Sequence, residues 1–148
     1  MYHRILVPVD GSSTAKRALQ EAILLAGLTN AQVALVHIYI DIAYLVGEDC
    51  INYEELQKTV QLAGEKILTE AAQLVAQAGL MVQTKSMVAT NQKIAQAIIT
   101  EAEHWEADLI VIGSHGHSGF TRLLLGSVAE GVIRRSSIPV LMIRSEEA

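Results

Sequence analysis

Short apolar runs alternate with longer segments of helical periodicity from one end of the chain to the other. The runs are rich in Val, Ile and Leu with few polar residues between them, which is typical of strands covered on both faces. They predict strands over 5–9, 32–38, 81–88, 108–112 and 138–144, and the periodic segments predict helices that begin near residues 13, 53, 91 and 127. Because strands and helices alternate, right-handed crossovers and a parallel sheet are the expected topology. We therefore predict a doubly wound α/β fold, a five-stranded parallel sheet with helices on both faces.

The periodicity also predicts which residues of each helix are buried. In the first helix they are Ala15, Ala18, Leu19, Ala22 and Ala26, and in the second Leu56, Val60, Ala63, Ile67, Ala71, Leu74 and Ala78. In the third helix they are Ile94, Ala97, Ile98 and Ala102, with Asn91 as the N-cap. In the strand over 81–88, Gln83 and Lys85 alternate with Val82 and Thr84, which predicts a more exposed edge strand.

The stretch from Gly113 to Ser127 connects the fourth strand to the fourth helix and is rich in glycine. Its glycines are Gly113, Gly116, Gly119 and Gly126. Such a loop lets backbone N–H groups approach an anion without interference from Cβ atoms. The helix N-terminus at Ser127 adds unpaired N–H groups and the positive end of the helix dipole. The stretch therefore predicts a phosphate site.

Three residues near this site have more than one interpretation. Ser127 begins Ser127-Val128-Ala129-Glu130, which matches the S-x-x-E capping box, and its hydroxyl can also bind a phosphate oxygen. Asp10 can accept hydrogen bonds from a ribose or base edge, hold a metal through water, or serve as a turn residue before the first helix. Gly131 lies inside a short helix at a cost of about 1 kcal/mol relative to Ala, so we expect a close approach of backbone or ligand there.

The histidines do not form an obvious catalytic or metal-binding set. His115 and His117 lack a convincing third ligand, so we expect solvated loop residues rather than a metal pair. His37 lies within the second strand and is expected to be a core or strand-end histidine with satisfied hydrogen bonds. Neither G-x-x-x-x-G-K-[ST] nor G-x-G-x-x-G is present, so phosphate would be bound through another glycine spacing.

Composition narrows the classes of function. The 148 residues fit one domain, 1–148. A net charge of −5 argues against a nucleic-acid surface, which requires clustered Lys and Arg. No apolar run approaches the roughly 18–20 residues that span a bilayer, so we expect no membrane partner. The first residues lack a signal-peptide pattern, and the one cysteine, Cys50, excludes an intrachain disulfide. These features predict a cytoplasmic location.

The glycine spacing resembles the ATP-binding signature of the universal stress protein family. The match is the pattern G-x2-G-x9-G-S, formed by Gly113, Gly116, Gly126 and Ser127. Similarity extends over nearly the whole chain and includes residues 5–12, 107–116 and 138–143, in the family's order. The resemblance implies a five-stranded parallel sheet in the order 3-2-1-4-5 with helices on both faces, which agrees with the topology predicted above.

The resemblance also implies an ATP site. The residues around the adenine and ribose would be Pro8, Val9, Asp10 and Ile38, with the main chain of Ile38 reading the base edge. Those along the ribose and phosphates would be Ile112, Gly113 and Gly116. The phosphates would be held by Gly126, Ser127 and Val128, with Mg²⁺ or Mn²⁺ bridging phosphate oxygens and no protein carboxylate clearly assigned to the metal.

Two positions depart from the family pattern, and one edge implies a partner. Many relatives have Thr or Ala at the position of Val9, so a hydroxyl contact is lost while a main-chain contact would survive. Many also have Gly before the third helix, where this chain reads Val88-Ala89-Thr90-Asn91, which leaves that turn open. In the family the last strand pairs with that of a second copy. We therefore predict a homodimer through 138–144, which would cover Val140 and Met142, the apolar residues expected to be exposed at this edge.

We expect an ATP-binding stress-response or regulatory protein that acts as a nucleotide-dependent switch toward a protein partner of unknown identity. Hydrolysis should be slow at most, because no base is poised to activate water and no Lys or Arg is firmly placed on the γ-phosphate. One alternative is an adenine-nucleotide hydrolase or transferase assisted by His115, His117 or Arg122. Another is a chaperone-like interaction protein with a vestigial site. The segment 40–52 can be a lid or partner surface, or a loop that folds back on the domain.

Overall fold

An open parallel sheet lies between two layers of helices. The computed structural model describes residues 1–43, 52–89, 93–115 and 126–144. The strands are β1 (Arg4–Pro8), β2 (Gln32–Ile40), β3 (Val82–Ala89), β4 (Leu109–Gly113) and β5 (Val140–Ile143), and the helices are α1 (Ser13–Thr29), α2 (Tyr53–Gln77), α3 (Ile94–His104) and α4 (Ser127–Arg135). The sheet order is β3-β2-β1-β4-β5 and every pair is parallel. The predicted fold class and strand order are confirmed.

Both faces of the sheet are apolar because successive strand residues point to opposite sides. In β1, Ile5 and Val7 pack with α1 and α2, whereas Leu6 packs with α3 and α4. In β4, Val111 and Ile110 divide between the two faces in the same way. This arrangement explains the uninterrupted apolar runs of the sequence. None of the described helices is long and apolar enough to cross a membrane.

The ends of α1 follow from its local sequence. Ser12 is the N-cap, and its hydroxyl accepts a hydrogen bond from the Ala15 N–H at 3.2 Å. Asp10 is a turn residue before this helix, which is one of the interpretations given for it above. Its carboxylate accepts a hydrogen bond from the Ser12 N–H at 2.9 Å. Asn30 ends the helix in a left-handed conformation with φ 56°. All five positions predicted to be buried in this helix are buried.

The buried side of α2 differs from the prediction. Its buried residues are Gly64, Leu68, Ala71 and Val75, of which only Ala71 was predicted. Val60 and Ile67 are half-buried, and Leu56, Ala63, Leu74 and Ala78 are exposed. Apolar residues occur all around this helix, so spacing alone fits stripes one residue apart. Gly64 determines which stripe is buried, because this face of the helix can approach β2 only without a Cβ at this position. A Cβ there would lie only 2.4 Å from His37 Cδ2.

The third helix begins at Ile94, with Lys93 as its N-cap. The predicted cap, Asn91, lies outside the described residues. Of the positions predicted to be buried, Ile98 and Ala102 are buried and the other two are half-buried. Gly131 of α4 lies against this helix, where a Cβ would come within 2.8 Å of Ala95 Cβ. The expected close approach at Gly131 is therefore one between helices.

The edge strands are β3 and β5. Most of β3 is exposed, as predicted. β5 is shorter than 138–144, because the Ser136 hydroxyl bonds both the N–H and the C=O of Ile138, at 3.0 and 2.8 Å, and holds it in a turn. Val140 and Met142 are half-buried, so the exposure predicted for them was wrong, and Leu141 is the exposed apolar residue at 40%.

Candidate functional site

A cleft of about 390 Å³ opens where β1, β2 and β4 end. The chain leaves β1 toward β2 on one side, and β4 pairs with β1 on the other side. In open α/β sheets, ligands bind at this point, where the strand order reverses and adjacent connections diverge. The cleft therefore occupies the place in the fold where a ligand is expected.

Nine of the ten residues predicted to contact a nucleotide line this cleft. They are Pro8, Val9, Asp10, Ile38, Ile112, Gly113, Gly126, Ser127 and Val128. The tenth, Gly116, lies outside the described residues, as do Gly119, His117, Arg122, Cys50 and most of the segment 40–52. At the start of that segment, the N–H of Ile42 donates to Gln57 Oε1 of α2 at 2.9 Å, so this part is fixed to the domain.

One end of the cleft is the N-terminus of α4. Gly126 is the N-cap, and among the described residues no side chain caps the helix. The capping box predicted over residues 127–130 is wrong, because Ser127 is already the first helical residue and the Glu130 side chain reaches Arg134 instead. No described side chain caps the first-turn N–H groups of Ser127 and Val128, and both residues line the cleft.

The β4 connection packs tightly against this helix N-terminus. The Gly126 N–H donates to the Ser114 carbonyl at 2.8 Å, and the Ser114 N–H donates to the Ile143 carbonyl at 2.9 Å. A Cβ on Gly126 would lie 3.0 Å from the Ser114 carbonyl oxygen. Gly126 therefore allows the helix N-terminus to lie directly beside the end of β4, quite apart from any ligand.

At the other end of the cleft, β2 continues beyond the end of β1. The Gln32 N–H donates to the His3 carbonyl and the Val9 N–H donates to the Val36 carbonyl, both at 2.9 Å, so even-numbered residues of β2 direct their main chain toward β1. β1 ends at Pro8, whereas β2 reaches Ile40. Among the described residues, no acceptor is found for the Ile38 N–H, which points into the cleft with the Ile38 carbonyl.

His37 lies beside this end of the cleft. Its Nδ1 is 2.8 Å from the Val9 carbonyl oxygen. A carbonyl can only accept, so Nδ1 carries the proton. The residue as a whole is 9% exposed. His37 is therefore the strand-end histidine with a satisfied hydrogen bond that the sequence predicted.

Ionisable groups are sparse in the cleft. Among its described lining residues the one carboxylate is Asp10. The Ser114 hydroxyl and His115 Nδ1 lie 2.9 Å apart at the α4 end of the cleft. No three His, Cys, Asp or Glu side chains of the described ranges converge as metal ligands. A divalent cation here would need most of its ligands from a bound anion and water, which is compatible with an ion held on phosphate oxygens.

Sequence reasoning missed the apolar wall of the cleft. Ile40 of β2 and Ile94 and Ile98 of α3 line the cleft together with Ile38. The available signal is the alternation that places Ile38 and Ile40 on one face of a strand, and the four-residue spacing that places Ile94 and Ile98 on one face of a helix. These signals identify a common wall only once α3 is known to cover that face of β2.

A doubly wound α/β domain with a ligand cleft at its switch point is a class with many members. The model of the universal stress protein family matches residues 1–144. Universal stress protein MJ0531 of Methanocaldococcus jannaschii is 31% identical over 145 residues, which cover 97% of this chain and 83% of the relative. The chain belongs to the universal stress protein family, as its sequence predicted.

Solved structures agree with this assignment. MJ0577 of M. jannaschii has a TM-score of 0.86 at 28% identity, over 100% of this chain and 99% of that chain. A universal stress protein in complex with cAMP has a TM-score of 0.69 at 27% identity, over 97% of each chain. The universal stress protein from Archaeoglobus fulgidus in complex with dAMP has a TM-score of 0.68 at 26% identity, over 97% of this chain and 98% of that chain.

Proposed function

We propose that this protein binds an adenine nucleotide, with ATP as the preferred form, in the cleft at the ends of β1, β2 and β4. The observation that carries the proposal is one cleft that joins an open main-chain donor and acceptor at Ile38 to a helix N-terminus at Gly126 that no described side chain caps. The first suits the N1 and N6 edge of adenine, and the second suits phosphate. The family members in complex with cAMP and dAMP support an adenine ligand.

The proposed contacts follow the two ends of the cleft. Pro8, Val9, Asp10 and Ile38 would surround the base and ribose. Ile112, Gly113 and Gly116 would follow the ribose and phosphates, and Gly126, Ser127 and Val128 would hold the phosphates. Mg²⁺ or Mn²⁺ would neutralise phosphate charge, bound by phosphate oxygens because Asp10 is the one acidic residue among the described lining residues.

We further propose a regulatory role in the stress response with slow hydrolysis at most. The described part of the cleft contains no Lys or Arg to stabilise charge on a transferring phosphoryl group. Nucleotide occupancy would alter the glycine loop or the segment 40–52, and so change the surface offered to a protein partner. One domain over 1–148 and a cytoplasmic location stay predictions.

A homodimer through β5 completes the proposal. β5 is an edge strand, so its outer main-chain groups lack a neighbouring strand within the described sheet, and Leu141 is exposed beside them. Pairing with β5 of a second copy would satisfy those groups and cover Leu141.

Calorimetry with ATP, ADP, AMP and cyclic AMP, followed by phosphate release over hours, tests the proposed function. We expect micromolar or tighter ATP binding and turnover too slow for a dedicated hydrolase. Rapid phosphate release would instead favour an adenine-nucleotide hydrolase assisted by His115, and no binding of any nucleotide would favour an interaction protein with a vestigial site. Mass analysis of a nucleotide that co-purifies with the protein gives an independent identification of the ligand.

A further inference from the structure

His37 lies where the hydrogen-bond ladder between β1 and β2 ends. The role inferred for it here rests on the adenine site proposed above. We infer that His37 is a positioning residue, which ends this ladder early and thereby leaves the Ile38 N–H free to bind the base. The inference concerns a side chain that does not line the cleft itself.

The register of the ladder shows what His37 replaces. The Gln32 N–H binds the His3 carbonyl, and Cα pairing continues from Arg4 with Gln32 to Pro8 with Val36. In a parallel ladder the pattern repeats every two residues, so the next bond would join the Ile38 N–H to the Val9 carbonyl. That carbonyl instead accepts from His37 Nδ1 at 2.8 Å. The His37 side chain thus occupies the Val9 carbonyl, which the main-chain N–H of Ile38 would otherwise bind.

Helix α2 fixes the orientation of the imidazole. A Cβ on Gly64 would lie 2.4 Å from His37 Cδ2 and 2.8 Å from Nε2, so the ring fills the space above this glycine. His37 is also buried, with 9% of the residue exposed. Three elements therefore meet at the ring: α2 through Gly64, β2 through His37 itself, and the end of β1 through Val9.

The freed donor completes a pair of main-chain groups that the edge of an adenine base can bind. At Ile38 an N–H donor lies beside a C=O acceptor, on the side of β2 that extends beyond the end of β1. Adenine presents an acceptor at N1 and a donor at N6, so its edge can pair with both groups at once. Without the imidazole, the buried Val9 carbonyl would recruit the Ile38 N–H, because an unsatisfied buried carbonyl is costly. The site would then lose its donor.

Amide hydrogen exchange tests the device without any nucleotide. In the native protein we expect the Ile38 amide to exchange rapidly beside protected neighbours in β2. In His37→Leu it should exchange at least tenfold more slowly, through its new bond to the Val9 carbonyl. In His37→Asn it should stay rapid, since the Asn amide can donate to Val9 from nearly the position of Nδ1. Equal Ile38 exchange in the native protein and His37→Leu would overturn the inference.

Paired titrations with ATP and inorganic tripolyphosphate separate positioning from a general structural effect. We expect His37→Leu to weaken ATP binding about tenfold with tripolyphosphate affinity unchanged, and His37→Asn to retain ATP affinity. Gly64→Ala, which displaces the ring, should reproduce the loss, whereas Gly27→Ala is the matched control because a Cβ there has nothing within 4 Å.

Parallel losses for both ligands, or unchanged ATP affinity in His37→Leu and Gly64→Ala, would overturn the inference. If the native protein binds no ATP, the proposed function fails. The amide exchange still decides whether His37 ends the ladder.

Discussion

At the residue scale, Gly126 combines a packing requirement with a proposed role in phosphate binding. Its missing side chain lets the N-terminus of α4 approach the Ser114 carbonyl, and its neighbours Ser127 and Val128 offer their N–H groups to the cleft. Its backbone, with φ −64° and ψ 148°, is open to any L residue. The constraint at this position is therefore contact alone, which makes its consequences easy to isolate.

Gly126→Val should weaken ATP binding roughly 100-fold or more while the far-ultraviolet circular dichroism stays unchanged. The new side chain would separate α4 from the end of β4 and move the first-turn N–H groups. Calorimetry measures the affinity, and Gly27→Val, in an open position of α1, is the matched control for a glycine-to-valine change. Unchanged affinity would contradict the placement of the phosphates at this helix.

A second residue-scale prediction concerns Asp108, whose carboxylate accepts hydrogen bonds from the main-chain N–H groups of His3 and Arg4 at 2.8 and 3.0 Å. It joins the start of β1 to the start of β4. Asp108→Ala should lower the free energy of unfolding by about 1–2 kcal/mol, because hydrogen bonds to a charged acceptor are lost in a partly exposed place. Urea unfolding measures the change, and Asp108→Asn, which keeps an acceptor oxygen, should lose less.

At the element scale, the sequence predicts strands and helices well because both faces of the sheet are buried. The apolar runs are then long and the intervening helices amphipathic. The pattern does not determine how a helix is rotated about its axis when apolar residues occur all around it. This is the case for α2, where the contact of Gly64 with His37 determines which side of the helix is buried. The pattern also does not predict the apolar wall that includes Ile94 and Ile98, because that wall depends on which strands α3 covers. The capping box failed because the N-cap moved by one residue to Gly126.

The pair Gly27 and Gly131 tests helix packing directly. Both are helical glycines, but a Cβ on Gly27 meets nothing within 4 Å, whereas a Cβ on Gly131 would lie 2.8 Å from Ala95 Cβ. Gly27→Ala should raise the free energy of unfolding by about 0.5–1 kcal/mol through helix propensity. Gly131→Ala should fail to gain this, or destabilise, because α3 and α4 must separate. Thermal or urea unfolding of the two variants compares them, and equal gains would contradict the close helix contact.

At the scale of the whole molecule, the fold has two open edges with different character. The outer residues of β3 are largely exposed and polar, including Gln83, Thr84, Lys85 and Ser86. β5 is short and carries an exposed leucine. Charged and polar residues oppose strand pairing, so β5 is the better edge for a second copy.

Leu141→Lys should therefore convert the proposed homodimer to a monomer. A lysine at the paired edge would bring like charges together across the two-fold axis and remove an apolar contact. Sedimentation at micromolar concentration measures the state, and Leu28→Lys on α1, where the leucine is 85% exposed, is the matched control. A native protein that sediments as a monomer would contradict the dimer.

The hydrogen bonds that hold the start of β1 have a practical consequence for attaching labels or linkers to the protein. Arg4 donates to the Trp105 carbonyl at 2.7 Å and stacks on the indole, so together with Asp108 the first strand is anchored at the amino end of the sheet. The cleft opens at the opposite end, about 17 Å away for a five-residue strand. A fluorophore or sensor-chip linker attached at Met1, which is 92% exposed, would leave the cleft directed toward solution. Immobilised molecules would then present their clefts in a common orientation.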